Sequence, residues 1–423
     1  MNVKRLWFVL LLASITMEGI GRKYVPAISQ GTWYFAKDLI LLGALPIAGL
    51  GRAEANAVRR AMGAFLFVLP IAFGWTVLQL LNPAHQSAML GLLGLRAYWF
   101  WWIAPVLVAG MLREPSDLAF ALNALAVTAV IVAATAAFQF RNPVDADINR
   151  YAWTSGDMAV ATFRGGAYAR VASTFSYISG FSNFAIVSIP VLLALGLGEA
   201  FGQSRILVLA GLMALAGTVP MTGSRGPVVQ VAASSALIIS LAGLLRRRTM
   251  AYIVPGVIVI AIAGAFASSE AVLGLAERFE YSDTEGRFQE LLQVLPPVAL
   301  QSYNYPVEGI GTGMMQNVRL FLGVDTGWAT EGEVGRYLVE LGVVGYLLIW
   351  TSRLGLAVAL GRAAIRLRRG GWAASGALAV VLAVLALISN LVFDHVNQAL
   401  FFLAVGMVVR QVVSMEKAAG SRA

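Results

Sequence analysis

The chain has 423 residues, 59% of them hydrophobic and 13% charged, with a formal net charge of +9. A soluble domain carries about a quarter charged residues, so a water-exposed globule is excluded and the bilayer is the expected solvent. The absence of cysteine excludes disulfides and thiolate metal sites, and the 2 histidines, His85 and His395, are too far apart in sequence to suggest a histidine-rich metal centre.

Apolar runs fall near 6–20, 35–50, 60–81, 97–112, 117–138, 177–198, 205–221, 227–245, 250–268, 337–360, 373–393 and 396–414. Each is long enough, or nearly so, for a hydrocarbon core of about 30 Å, the first two being the shortest. None alternates like the strand of an outer-membrane barrel. The expected fold is all-α: a polytopic transmembrane helical protein of about 12 spans, whose helices satisfy their own backbone. The first run follows Lys4 and Arg5 without a small-residue cleavage site and reads as a retained helix, not a signal peptide. Basic clusters separate the runs: Lys4 and Arg5; Arg52, Arg59 and Arg60; Arg113; Arg205; Arg246, Arg247 and Arg248; Arg362, Arg366, Arg368 and Arg369; Arg410, Lys417 and Arg422. With about twelve spans all of them fall on one side, which places both termini in the cytoplasm and reads the charge as topological anchoring, not nucleic-acid binding.

The organisation expected is transmembrane helices one to nine over 1–268, with an outer loop at about 140–176; a large outer loop with helical character over 269–336; and helices ten to twelve with a cytoplasmic tail over 337–423. Leu291, Leu292, Val294 and Leu295 carry that helical character, and Pro296-Pro297 is expected to interrupt it. No internal repeat and no low-complexity segment is evident. Within the spans the main charges are Lys37, Asp38 and Glu340.

Arginine on the outer side opposes the topological bias, and the outer loops hold Arg141, Arg150, Arg164, Arg170, Arg225, Arg278, Arg287, Arg319 and Arg336. Arg225 lies in the hinge Thr222-Gly223-Ser224-Arg225-Gly226-Pro227. Glycine permits close backbone approach to a ligand, and Ser224 is placed to cap the next helix and leave an anion-friendly start. The alternative is an interfacial arginine snorkelling to lipid phosphate. The stretch from Glu277 to Phe288 alternates acids and bases, as either a binding element or a solvated helix with salt bridges. Glu308-Gly309-Ile310-Gly311-Thr312-Gly313 resembles a phosphate loop but lacks its Lys-Ser/Thr tail, so a glycine-permitted turn is the better reading. On a helix Glu333, Arg336 and Glu340 share a face at i, i+3, i+7. Glu340, inside the span, is expected to pair with a neighbour or cap a backbone group. Glu331 and Glu333 sit at the helix start, where the dipole favours the carboxylate that a general base requires.

Taken together, Ser224-Arg225-Gly226 after the seventh span, the loop 269–336 and Leu338-Val339-Glu340-Leu341-Gly342-Val343-Val344-Gly345 entering the tenth resemble the O-antigen ligase / O-antigen polymerase superfamily of polytopic membrane glycosyltransferases. Gly286-Arg287, Gly309 to Gly313, and Arg170 with Ser173-Thr174-Phe175 resemble further elements of that family. The resemblance implies a GT-C-like architecture and a polyprenyl-diphosphate-linked glycan donor, with Arg225 and Arg287 on the diphosphate. Arginine suits this: it is always charged and binds phosphate bidentately, and it stabilises a leaving group's charge without a metal. No cofactor is implied; Asp145-Ala146-Asp147 has metal-like spacing, but nothing else converges on it. Ligases of the superfamily carry a histidine nine residues before the motif glutamate, whereas here that position is Glu331. The departure points toward polymerase.

The expected activity is therefore a metal-independent, inverting transfer of glycan from polyprenyl (undecaprenyl) diphosphate to a hydroxyl of a lipid-linked acceptor, at the periplasmic face of a bacterial inner membrane. Glu331 or Glu333 is the expected base. Arg225 and Arg287 are the expected donor contacts, with Arg278, Arg336, Arg170 and Ser224 as further binding residues. Tyr151, Trp153, Tyr281, Tyr303 and Trp328 are candidates to stack on sugars or to anchor the interface. Partners expected are the lipid-linked donor, the glycan acceptor, membrane lipids and other envelope polysaccharide assembly proteins, with no nucleic acid. The alternatives are a ligase acting on a lipid or protein acceptor, a flippase for lipid-linked sugar, and a non-enzymatic scaffold.

Overall fold

The computed structural model describes residues 2–25, 27–48, 65–152, 159–243, 270–274, 276–278, 280, 292–316, 319, 322–328, 330 and 332–420. In chain order its helices are α1 (Val3–Thr16), α2 (Glu18–Tyr24), α3 (Gln30–Leu42), α4 (Leu45–Ala48), α5 (Phe65–Leu78), α6 (Ala88–Trp99), α7 (Ala104–Met111), α8 (Pro115–Arg141), α9 (Ile178–Val191), α10 (Arg205–Thr218), α11 (Arg225–Ala242), α12 (Pro296–Ser302), α13 (Glu333–Arg369), α14 (Ala373–Ile388) and α15 (His395–Gly420). The sheet among the described residues is one antiparallel hairpin, β1 (Thr162–Phe163) with β2 (Tyr168–Ala169). Seven helical stretches among the described residues are long and apolar enough to cross a membrane, so this is a multi-pass helical membrane protein. The expected span 250–268 and the basic clusters Arg52 to Arg60 and Arg246 to Arg248 lie outside the described residues.

Small residues let the helices approach closely where lipid supplies no hydrophobic drive. Along α8, Ala121, Ala126, Ala129, Ala133 and Ala136 are buried, and a Cβ added to Gly211 of α10 would stand 2.8 Å from the Ala126 carbonyl oxygen. Gly406 of α15 meets Val108 of α7 in the same way, at 2.6 Å.

Several boundaries differ from the apolar runs for physical reasons. The run near 97–112 belongs to a helix that starts at Ala88, because Arg96 is inside it and is neutralised by Asp38 at 2.5 Å. Hydropathy stops at a charge; a helix with internal backbone bonds does not. Fully buried Lys37 is likewise matched by Glu18 at 2.5 Å. The run near 177–198 contains Pro190, and the helix widens to a π turn at Leu192–Leu197, where the missing proline N–H relaxes the ladder. The run near 373–393 is helical only to Ile388, and 389–394 turns back as a non-helical segment. Leu292 is helical, 293–295 turns, and Pro296-Pro297 starts α12 as a new helix, as the orphan first N–H positions of a helix allow; 281–291 lie outside the described residues.

The bundle has two unlike ends. At one, Arg5 reaches Asp117 at 3.2 Å, Arg113 donates to the carbonyls of Gly110 and Ala48, Arg410 donates to the Arg113 carbonyl, and Arg366 meets Glu416 at 3.7 Å. At the other gather the 162–169 hairpin, the hinge at 219–224, the described residues of 292–332 and the 389–394 turn, joined by the contacts that follow.

Candidate functional site

Between α10 and α11 the chain makes a 3₁₀ turn, Val219–Thr222, and reverses at Gly223 with φ 60. That left-handed backbone suits glycine. Three arginines converge on this hinge. Arg170 donates from Nε to the Thr222 carbonyl (3.0 Å) and from Nη2 to Ser224 Oγ (2.5 Å). Arg278 donates to the Gly223 carbonyl (2.8 Å), and Arg225 donates to the Arg278 carbonyl (2.5 Å). Ser224 holds the position expected of a cap, but its hydroxyl makes no cap hydrogen bond and serves Arg170 instead.

The arrangement is held from outside. Val171 N–H donates to the Met221 carbonyl at 3.2 Å, stitching the Arg170 segment to the hinge. Arg164, at the tip of the hairpin with φ 52, ion-pairs with Glu270 and with Glu277 at 3.4 Å, which anchors the segment carrying Arg278. Arg170 and Arg278 donate to carbonyls and a hydroxyl, and no carboxylate pairs with either among the described residues. Burial, with Arg170 and Arg225 beside it, pushes the Arg278 guanidinium below its ordinary value. Like charges held side by side raise the local positive potential.

One cavity adjoins the hinge, and a second lies beyond it. The first, of about 340 Å³, is walled by Arg170, Ser224, Asn183, Asn390 and Asn397. The second, of about 980 Å³, is walled by Tyr303, Asn304, Trp328, Glu333, Arg353 and Asn390. Ile388 and Asn390 line both, so the end of α14 and the turn after it form a shared partition. That partition is fixed by a buried ion pair. Arg353, in the middle of α13, bonds Glu333 Oε2 at 2.7 Å and caps α14 by donating to the carbonyls of Ala386 (2.7 Å) and Ser389, as cations do at helix C-termini. Glu333 Oε1 accepts the N–H groups of Leu391 (2.7 Å) and Val392 (2.6 Å). Asp394 completes the turn, accepting from Asn397 N–H at 2.9 Å and Asn183 Nδ2 at 2.8 Å. Burial pushes its carboxyl up, against the pull of those donors.

The glycine-rich segment is structural, as a glycine-permitted turn requires. α13 is broken at Gly342 (φ 67, ψ −172), backbone that essentially only glycine adopts. Into the break comes the turn at 307–313. Ile310 N–H donates to the Val339 carbonyl (2.9 Å), Gly311 N–H to the Glu340 carbonyl (3.0 Å), and Val343 N–H to the Val307 carbonyl (3.1 Å). A Cβ on Gly342 would lie 2.3 Å from the Val307 oxygen, and one on Gly309 would lie 2.5 Å from the Glu340 oxygen. Glu340, fully buried, caps the turn: Oε1 accepts Met315 N–H at 2.6 Å and Oε2 accepts Tyr98 OH at 2.8 Å. The buried carboxylate is thus hydrogen-bonded, as burial demands.

Of the residues selected from sequence, Arg170, Ser224, Arg225 and Arg278 meet at the hinge, and Glu333 lies at the partition. Arg336 does not join the hinge. It stacks over Phe393, 5.0 Å from the ring centre, and its charged neighbours are Glu340, Arg319 and Glu333. Arg287 and Glu331 lie outside the described residues, as do Trp153 and Tyr281. Tyr303 and Trp328 line the larger cavity, whereas Tyr151 is buried and donates to the Arg170 carbonyl at 2.8 Å. Both histidines are packed elsewhere, His85 on the Thr312 carbonyl and His395 edge-on to Tyr34. Sequence reasoning missed Arg353, although an arginine in the middle of an apolar run is a signal in itself. Scanned against protein-family models the chain finds no match, and a search of curated proteins finds none either.

Proposed function

We propose that the chain is a metal-independent, inverting glycan polymerase resembling the O-antigen polymerases. In this reading it has about 12 spans, both termini in the cytoplasm and the arginine hinge at the periplasmic face of a bacterial inner membrane. The observation that carries the proposal is the convergence of Arg170, Arg225 and Arg278 on one hinge, beside a cavity that shares a wall with a larger one.

The chemistry divides across that wall. On the hinge side Arg225 takes the donor diphosphate, with Arg170 and Arg278 adding donors; Arg287 is the second diphosphate contact that the resemblance implies. On the other side the larger cavity takes the acceptor glycan, with Tyr303 and Trp328 offering faces to sugar rings. The acceptor hydroxyl oxygen attacks the anomeric carbon, the bond from that carbon to the diphosphate oxygen breaks, and polyprenyl diphosphate departs with its charge met by the arginines. The hydroxyl proton passes to a carboxylate. Both oxygens of Glu333 hold the partition, so Glu331 is assigned as the base and Glu333 as the residue that positions the wall.

The test is a deletion strain complemented with wild type, Arg225→Ala, Arg278→Ala or Glu331→Gln at matched membrane levels. Loss of long chains with accumulation of single repeat units supports the proposal. Long chains that persist on the lipid carrier point to a ligase, and an unchanged pattern in all variants overturns the assignment.

A further inference from the structure

A groove of about 430 Å³ runs between α2 and α8, away from the arginine hinge. Its walls are Ile20 and Tyr24 on one side and Ala134, Thr135 and Phe138 on the other. Ile131, Thr135 and Phe138 form one stripe at i, i+4, i+7. Phe138 is 61% exposed and Ile131 46% exposed, so the stripe faces outward from the bundle. On a membrane helix such a stripe meets hydrocarbon chains.

Lys23 enters this apolar groove from the last turn of α2. Its Nζ is buried and makes no hydrogen bond among the described residues. Fully buried Lys37 nearby in sequence shows the contrast, since it is matched by Glu18 at 2.5 Å. An ammonium buried with no counter-charge among the described residues is unfavourable, and an anion in the groove would offset that cost. At the rim Arg150 pairs with Asp147 at 3.0 Å in an exposed ion pair, and Tyr24 OH donates to the Asp147 carbonyl at 3.0 Å. Burial, and then the charge of Arg150, push the Lys23 ammonium down to about 8, which leaves it mostly charged at neutral pH.

The pattern is that of an amphiphile's mould, with a buried cation at one end and an apolar stripe along the rest. We propose that this groove binds an anionic membrane phospholipid, its phosphate on Lys23 and an acyl chain along Ile131, Thr135 and Phe138. The site is separate from the hinge. Gln139 closes the groove floor by donating to the Ser173 carbonyl (3.0 Å) and accepting Ser173 N–H (2.7 Å). Ser173 has φ 54 and follows Arg170 by three residues, so the bound lipid braces the segment that delivers Arg170.

The experiment uses the full chain in detergent with added phosphatidylglycerol, and counts retained lipids by native mass spectrometry. Wild type is expected to keep one phosphatidylglycerol that Lys23→Met loses and Lys23→Arg keeps, with no such difference for phosphatidylcholine. Thr135→Trp, which fills the groove and leaves Lys23 intact, is expected to lose the same lipid and guards against a Lys23→Met chain that fails to fold. Equal lipid counts in wild type, Lys23→Met and Thr135→Trp overturn the proposal. So does Lys23-dependent thermal stabilisation by inorganic phosphate alone, which makes the occupant a free anion.

Discussion

The arginines at the two ends of the bundle are used differently. At the basic end Arg5 and Arg366 reach Asp117 and Glu416, and Arg113 and Arg410 cap main-chain carbonyls. At the hinge end Arg170 and Arg278 reach only carbonyls and a serine hydroxyl among the described residues, and they stand close enough to Arg225 to disfavour charge on Arg278. One end distributes positive charge and the other concentrates it. Concentration costs stability, so it teaches where to look for an anionic substrate.

The largest effect expected is therefore on activity. Arg278→Ala, and Arg170→Ala beside it, should lower polymer formation by about 100-fold or more at unchanged membrane levels, the scale of losing one preorganised donor to a developing charge. Arg278→Lys should restore little, since an ammonium lacks the guanidinium fork. If either alanine variant polymerises at the wild-type rate, concentrated charge at the hinge is not catalytic and the contrast between the ends loses its meaning.

The hinge end also depends on backbone that only glycine supplies. Gly342→Ala forces φ 67 on an L-residue and drives a Cβ to 2.3 Å from the Val307 oxygen. The strain alone is worth about 1–3 kcal/mol, and the collision adds to it. The expected result is a lowered melting temperature and loss of the turn at 307–313, read by protease sensitivity. Gly361→Ala, toward the basic end of the same helix and with open space around it, should leave both measurements unchanged.

Next in size is the partition. Glu333→Gln keeps a carbonyl acceptor for Leu391 and Val392 but removes the charge that matches Arg353. The loss of charge-assisted hydrogen bonds is worth about 2 kcal/mol. Activity should fall with a raised acceptor KM, because the wall between the cavities loosens. A fall in kcat alone, with KM and melting temperature unchanged, would instead make Glu333 the base.

The helices were legible in the sequence because an uninterrupted apolar run of about 20 residues matches the hydrocarbon thickness and suits no water-exposed element. The burial of Glu340 and the turn at Gly309 to Gly313 were legible too, each from an unfavourable residue that needed a reason: a carboxylate in a span, and glycines at close spacing. What escaped was pairing across the bundle. Arg96 was placed outside its helix because its partner Asp38 belongs to α3. Arg353 was passed over because Glu333 lies 20 positions away in sequence, across the break at Gly342, and because its other contacts come from α14. Arg170, Arg225 and Arg278 were each legible only singly. Their convergence depends on a short hairpin and a left-handed glycine that no periodicity encodes.

The smallest effect belongs to the basic end and is the control for all the others. Arg366 and Glu416 meet at 3.7 Å with both side chains partly exposed, and such a pair is worth about 0–1 kcal/mol. Arg366→Ala should leave melting temperature, lipid-linked intermediates and polymer length within error of wild type. Replacing Arg362, Arg366, Arg368 and Arg369 together is a different test, because positive charge there acts in sum to set orientation. The multiple variant should insert poorly or in mixed topology, read by protease accessibility of the tail, although no member of the cluster matters singly. At the hinge end the order is reversed, with single replacements decisive and their effects non-additive because the three arginines act on one charge. A multiple variant that inserts normally, alongside hinge variants whose losses simply add, would show that the two ends use arginine in the same way after all.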